Sequence, residues 1–187
     1  MNQAIAKALT EHAGLLSAVE KMAPEIERAA ARIVDCLRHG NTVYWCGNGG
    51  SAADAQHFAA ELIGRFERER RAMASVALTA DTSVLTSIGN DYGFADVFRR
   101  QVEGLVRKGD VLVGISTSGS SANVLRAVDQ ARAQGGIVIG LLGRDGGTIA
   151  PLCDLALVVP GSNTARIQEM HALIGHLLCE LVEVNGV

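Results

Sequence analysis

Five short apolar runs, separated by helix-forming segments, constrain this chain more than any other feature. The runs are Thr42–Cys46, Ser75–Thr79, Val111–Ile115, Ile137–Leu142 and Leu155–Val159. Helices are expected between them at Ala52–Gly64, Thr82–Ile88, Ala95–Lys108 and Ser121–Gln134. Strands alternating with helices imply an α/β fold with a five-stranded parallel sheet covered on both faces. Ahead of the first run, Ile5, Leu9, Leu16 and Val19 recur at helical spacing within Asn2–Met22. A second helix starts near Pro24, sets Ile26, Ala29, Ala30, Ile33 and Leu37 on one side, and closes at Gly40. A last helix, Thr164–Val184, carries apolar residues around most of its circumference, which predicts burial, with other subunits as the expected cover. The expected organisation is a single domain over 1–187, with N-terminal helices at 1–40 and the α/β core with its C-terminal helix at 41–187.

Composition narrows the function. A chain of 187 residues with 48% hydrophobic residues can fill a substantial core. The net charge of −3 and the 4% aromatic content argue against nucleic-acid binding, which needs a basic surface and stacking platforms. Cys36, Cys46, Cys153 and Cys179 lack CxxC spacing and read as buried thiols of a reducing compartment. No apolar run approaches membrane-spanning length and the N-terminus has no signal-peptide core, so a cytoplasmic protein without membrane partners is expected. Neither a GxGxxG fingerprint nor a Walker A sequence is present, which leaves a nucleotide enzyme unsupported. The charged run Arg65–Arg71 reads as a solvated connection.

Two loops carry the chemistry. The first run breaks into Gly47-Asn48-Gly49-Gly50-Ser51, and a helix follows with Ser51 placed to cap it. Glycines let backbone N–H groups approach a ligand, and the helix N-terminus adds partial positive charge. His57 and Glu61, four residues apart on that helix, share a face and suit one metal ion or one reacting group. A pair at this spacing is more often a solvated surface pair, but this helix is rich in Ala, Phe and Leu. The second loop, Ile115–Asn123, crowds Ser116, Thr117, Ser118, Ser120 and Ser121 at the end of a strand, just before a helix. Hydroxyls and a helix N-terminus without Lys or Arg favour a phosphate held by dipoles, although a Ser-rich capped turn is the plainer alternative. On the last helix Gln168, Glu169, His171 and His176 interrupt the apolar surface.

The pieces GNGGS, DAQHFAAEL, STSGSSANV and ARIQEMHALIGH, with the segment Gly89–Phe94, resemble the sugar isomerase (SIS) fold. The whole chain is most similar to the sedoheptulose 7-phosphate isomerase, or phosphoheptose isomerase, family. The resemblance implies a cytoplasmic homotetramer with sites at subunit interfaces. It also implies a zinc-dependent aldose–ketose isomerase that converts D-sedoheptulose 7-phosphate to D-glycero-D-manno-heptose 7-phosphate for lipopolysaccharide and other surface polysaccharides. It places one Zn2+ per subunit on His57, Glu61, Gln168 and His176. Substrate contacts fall on Asn48, Gly49, Gly50, Glu61, Asn90, Asp91, Ser116, Thr117, Ser118, Ser121 and Gln168. Some members have an acidic residue where this chain has Ala165, so a role assigned to that acid cannot operate here.

Aldose–ketose interconversion by proton transfer needs a base, a partner for the hydroxyl proton and a means of stabilising the enediolate. Glu61 is the candidate base and His176 its acid/base partner, with His171 next in line. Two other readings stay open: a non-catalytic SIS-fold phosphosugar-binding or replication-initiator-associating protein, and an isomerase of shorter sugar phosphates. Gln168 and His176 are eight residues apart, about 12 Å along a helix. That separation predicts that Gln168 joins His57 and Glu61 while a neighbouring chain supplies His176.

Overall fold

The computed structural model describes residues 2–186. Its elements are α1 (Gln3–Lys21), α2 (Ala23–Arg38), β1 (Val43–Gly47), α3 (Gly50–Ile63), β2 (Ser75–Ala77), α4 (Thr82–Asp91), α5 (Arg99–Leu105), β3 (Val111–Ser116), α6 (Ala122–Ala133), β4 (Ile137–Gly143), β5 (Leu155–Val159) and α7 (Thr164–Val184). The five strands form one parallel sheet in the order β2-β1-β3-β4-β5. The expected helix at Ala95–Lys108 divides into a 3-10 turn at Phe94–Asp96 and the short α5. Asp96 is buried there and binds Arg126 of α6 at 2.6 Å, which anchors the turn as a separate unit.

Side chains alternate strictly across the sheet, as a pleated strand requires. Val43, Trp45, Val111, Val113 and Ile115 face a layer built by α2, α3 and α7. Tyr44, Cys46, Leu112 and Val138 face the opposite layer, with Val102 of α5 and Val124, Ala127 and Val128 of α6. Strand order reverses between β1 and β3: the helix after β1 covers one face and the helix after β3 the other. The crevice outside the carboxyl ends of these two strands is where open α/β sheets receive ligands. Both sequence loops open there, since Gly47 and Ile115 are paired in the ladder.

Helix α7 is buried mainly by its own chain. Ile167, Met170, Ile174, Leu178 and Val182 join the core with α2 and α3, whereas Leu173 stays exposed. Gly175 lets α7 come close to α3, because a Cβ at this position would overlap the fully buried Phe58 ring. The stripe on α1 behaves differently: Val19 is buried, but Ile5, Leu9 and Leu16 are 55%, 58% and 43% exposed. None of the described helices is long and apolar enough to cross a membrane. The four cysteines are free thiols, and burial above all pushes each up to about 12, which leaves them unreactive as nucleophiles.

The α3–α7 contact predicts a stability effect opposite to helix propensity. Alanine favours a helix over glycine by about 1 kcal/mol, but overpacking a filled core costs about 1–3 kcal/mol. Phe58 has no free volume to enter, so overpacking should win. Gly175→Ala is expected to lower the urea midpoint, and a rise in midpoint would show that the two helices can separate freely.

Candidate active site

The first loop does not start its helix with Ser51 as the cap. Gly49, at φ 56°, is the capping residue and Gly50 begins the helix; no side chain caps it. Ser51 is buried one residue further in. The reason is conformational: the left-handed turn at Gly49 suits a residue without a Cβ, and that fixes the cap two residues before the serine.

The second loop gathers hydroxyls. Ser116 Oγ lies 2.9 Å from Ser121 Oγ and 3.3 Å from Ser118 Oγ, and Ser120 N–H donates to Ser118 Oγ at 3.2 Å. Gly119, at φ 67°, has no room for a Cβ against the Gly146 backbone, so the turn packs closely on the neighbouring β4 loop. The two loops are tied by a reciprocal amide pair. Asn48 Nδ2 donates to Asn123 Oδ1 at 2.8 Å, and Asn123 Nδ2 donates to Asn48 Oδ1 at 2.7 Å. Asn123 is buried and was not singled out in the sequence; nothing in its local pattern marks a partner 75 residues away.

Helices α3 and α7 run side by side, and their polar residues meet in register. His57 Nε2 stands 2.8 Å from His176 Nε2, so one ring must donate to the other or the two must share a proton or cation. Glu61 Oε1 is 3.5 Å from His57 Nε2. His57, Glu61 and His176 thus meet within one chain, which corrects the expectation that His176 comes from a neighbour. That expectation required one helix to aim two distant residues at a single point. Instead α3 lies alongside, and each α7 residue meets its own α3 partner. Gln168 meets a different level of α3: its Nε2 donates to Asp54 Oδ1 at 2.6 Å, and its side chain lies over Gly50.

Asp54 was missed in the sequence, although D-x-x-H-x-x-x-E puts Asp54, His57 and Glu61 on one helix face. Burial raises its carboxyl above the ordinary value, against the lowering by Gln168, His57 and His176. Among the described residues its Oδ2 is buried without a hydrogen-bond partner. A carboxyl that holds its proton more firmly than usual, beside two imidazoles, can store or pass a proton. His171 is a different case. It is fully buried, its Nε2 donates to the Leu142 carbonyl at 3.0 Å, and burial lowers it to about 4, so it is a neutral strut between α7 and β4.

Asn90 and Asp91 are exposed at the end of α4 and pair with each other at 2.8 Å. No hydrogen bond or ion pair among the described residues ties their side chains to either loop. Ala165 is exposed in the first turn of α7. Two imidazole nitrogens and a carboxylate are donor types that suit zinc. No group of three or more His, Cys, Asp or Glu side chains is arranged to hold a metal ion among the described residues.

Comparison with known proteins agrees with this architecture. A SIS domain family model matches residues 9–143. A phosphoheptose isomerase of Nitratiruptor sp. is 56% identical over 98% of this chain and 98% of its own. The solved phosphoheptose isomerase GmhA of Neisseria gonorrhoeae superposes with a TM-score of 0.92 at 48% identity, covering 97% of this chain and 98% of that one. A phosphoheptose isomerase structure from Francisella tularensis gives 0.89 at 38% identity, covering 97% and 99%.

The raised pKa of Asp54 makes a signed prediction. A carboxyl with its folded pKa above its unfolded value of about 3.9 costs stability as pH climbs from that value through the folded one. Asparagine keeps an acceptor for Gln168 and does not ionise. Asp54→Asn should therefore gain stability relative to the parent between about pH 4 and pH 7. Denaturant midpoints at both pH values test this, and a difference independent of pH would count against it.

Proposed function

Because the chain belongs to the SIS domain family, among its phosphoheptose isomerases, we propose that it interconverts D-sedoheptulose 7-phosphate and D-glycero-D-manno-heptose 7-phosphate. This reaction belongs to heptose biosynthesis. The observation that carries the reading is the junction of His57, Glu61 and His176 beside two ligand loops at the switch point of the sheet.

The phosphate is assigned to the Ser116, Thr117, Ser118 and Ser121 loop, where hydroxyls and the α6 N-terminus supply donors without a cation. Asn48, Gly49 and Gly50 are assigned to the sugar, together with Gln168. Asn48 has its carboxamide in the pair with Asn123, so it offers the substrate only its remaining hydrogen-bonding capacity. Asn90 and Asp91 are assigned as further substrate contacts from their match to the family motif. Glu61 is assigned as the base that removes the proton beside the carbonyl and returns it to the neighbouring carbon. His176 is assigned the hydroxyl proton, which its contact with His57 allows it to pass on. Asp54, with its raised pKa and uncommitted oxygen, is a second place to hold that proton.

One zinc per subunit is assigned to His57, Glu61, Gln168 and His176 from their match to the family motif, with two imidazoles and a carboxylate among them as donor types that suit zinc. When bound it would supply Lewis-acid polarisation of the carbonyl. A homo-oligomer, with a tetramer as the expected form, accords with the exposed apolar stripe Ile5, Leu9 and Leu16 on α1.

Two measurements test the reading. In an assay with sedoheptulose 7-phosphate, Glu61→Gln and His176→Gln should each lower kcat by roughly 10²-fold, the usual contribution of a positioned proton-transfer group. Near-normal turnover in both would move proton transfer elsewhere, and phosphosugar binding without turnover by the parent would favour a binding protein. Metal analysis should find about one zinc per chain, and chelation should slow turnover about tenfold, or about 1.4 kcal/mol. Full activity of metal-free protein would remove the metal from the mechanism.

A further inference from the structure

The charged run after α3 is not a solvated connection throughout. Phe66 and Arg70 turn inward from it and meet α7. Glu183, on the last turn of α7, has a side chain only 2% exposed. Its Oε1 accepts the Phe66 N–H at 2.7 Å, and its Oε2 accepts the Glu67 and Arg68 N–H groups at 2.9 Å each. Arg70 Nε donates to the same carboxylate at 3.1 Å. The rest of the Arg70 guanidinium closes the end of α3: Nη2 donates to the Glu61 carbonyl at 2.7 Å, and Nη1 to the carbonyls of Leu62 at 2.9 Å and Gly64 at 3.3 Å. Every acceptor of the carboxylate is thus in use, and one ion pair locks the loop to both helices.

The lock has a consequence at His176. The Phe66 ring stacks on the His176 ring, with centroids 5.6 Å apart and planes at 23°. His57 and Phe58 meet the same imidazole edge-on, at 86° and 84°. His176 is therefore confined on a face by Phe66 and at its edges by α3. Phe66 is the only one of these ring partners that neither α3 nor α7 carries, so its position depends on the loop, and the loop on Glu183.

We propose that Phe66 is a positioning residue for His176, held in place by the Arg70–Glu183 ion pair, which at the same time fixes the backbone of Glu61. The proposal rests on the proton-transfer role of His176 given above. Holding a reacting group in its productive geometry contributes to the rate without contributing to substrate affinity. The contact needs a flat ring, so phenylalanine can be replaced by tyrosine but not by leucine.

The test uses the full chain and sedoheptulose 7-phosphate. Phe66→Leu should lower kcat about tenfold with KM within about twofold of the parent, while Phe66→Tyr should keep both within about twofold. The ring 1H–13C signal of His176, followed by NMR without substrate, should move in Phe66→Leu and stay in place in Phe66→Tyr. Glu183→Gln, which removes the negative charge that pairs with Arg70 and one acceptor oxygen, should reproduce the fall in kcat; if it does not fold, the Phe66 pair still decides. Parent-like kcat in Phe66→Leu, an equal loss in Phe66→Tyr, or a change confined to KM would overturn the assignment. His176→Gln separates the two levels. If that variant turns over normally, the acid/base reading falls and the positioning role with it; if it is inactive while Phe66→Leu is not impaired, the positioning role alone falls.

Discussion

The site depends on how closely α3 and α7 can lie side by side. Gly175 provides the space and the fully buried Phe58 ring fills it, so the two helices approach closely. Once they do, the polar residues of each are placed by rise alone. Gln168 meets Asp54 and Gly50, His176 meets His57, and Glu183 reaches the loop beyond the end of α3. Setting polar residues between two helices is tolerable because most of the buried groups find partners. The exceptions among the described residues are Asp54 Oδ2, Arg166 Nε and His171 Nδ1, which are buried without a hydrogen-bond partner.

A second constraint joins the helices to the sheet. The strand order turns at β1 and β3, and the two loops beyond these strands are fastened by the reciprocal Asn48–Asn123 amide pair. Two parallel hydrogen bonds in a largely buried place hold the glycine-rich loop and the hydroxyl-rich loop as one unit. The division of labour is electrostatic. The serine loop has donors but no cation, so it favours an anion through oriented dipoles, which keep their direction when the ligand leaves. The seam between α3 and α7 holds the titratable groups instead.

The remaining reactive groups are kept out of the chemistry by burial. The four thiols are held protonated by burial, and His171 is held neutral by burial in apolar surroundings, which outweighs the opposite pull of its hydrogen bond to the β4 carbonyl. Glu183 shows the opposite outcome. Burial alone would raise its pKa, but three backbone donors and Arg70 more than reverse this and hold it below the ordinary value. A charged, saturated carboxylate is a fastening, whereas a half-satisfied one such as Asp54 is available for reaction.

The sequence by itself determined the sheet, the two loops and the helix that carries His57 and Glu61, because each is written in local periodicity. Short continuous apolar runs make strands buried on both faces, and glycine or serine breaks at their ends make loops. It placed the last helix at roughly Thr164–Val184 from its apolar pattern, and α7 spans those residues. Only the tertiary structure decided that His176 lies against His57 of its own chain and that Gln168 lies with Asp54. It likewise decided that Arg65–Arg71 sends Phe66 and Arg70 inward. Those facts depend on the distance and register between elements, which are set by Gly175 against Phe58 and by Glu183 beneath the loop. A helix written alone gives the angle of each side chain about its axis, but not the neighbour that will stand opposite.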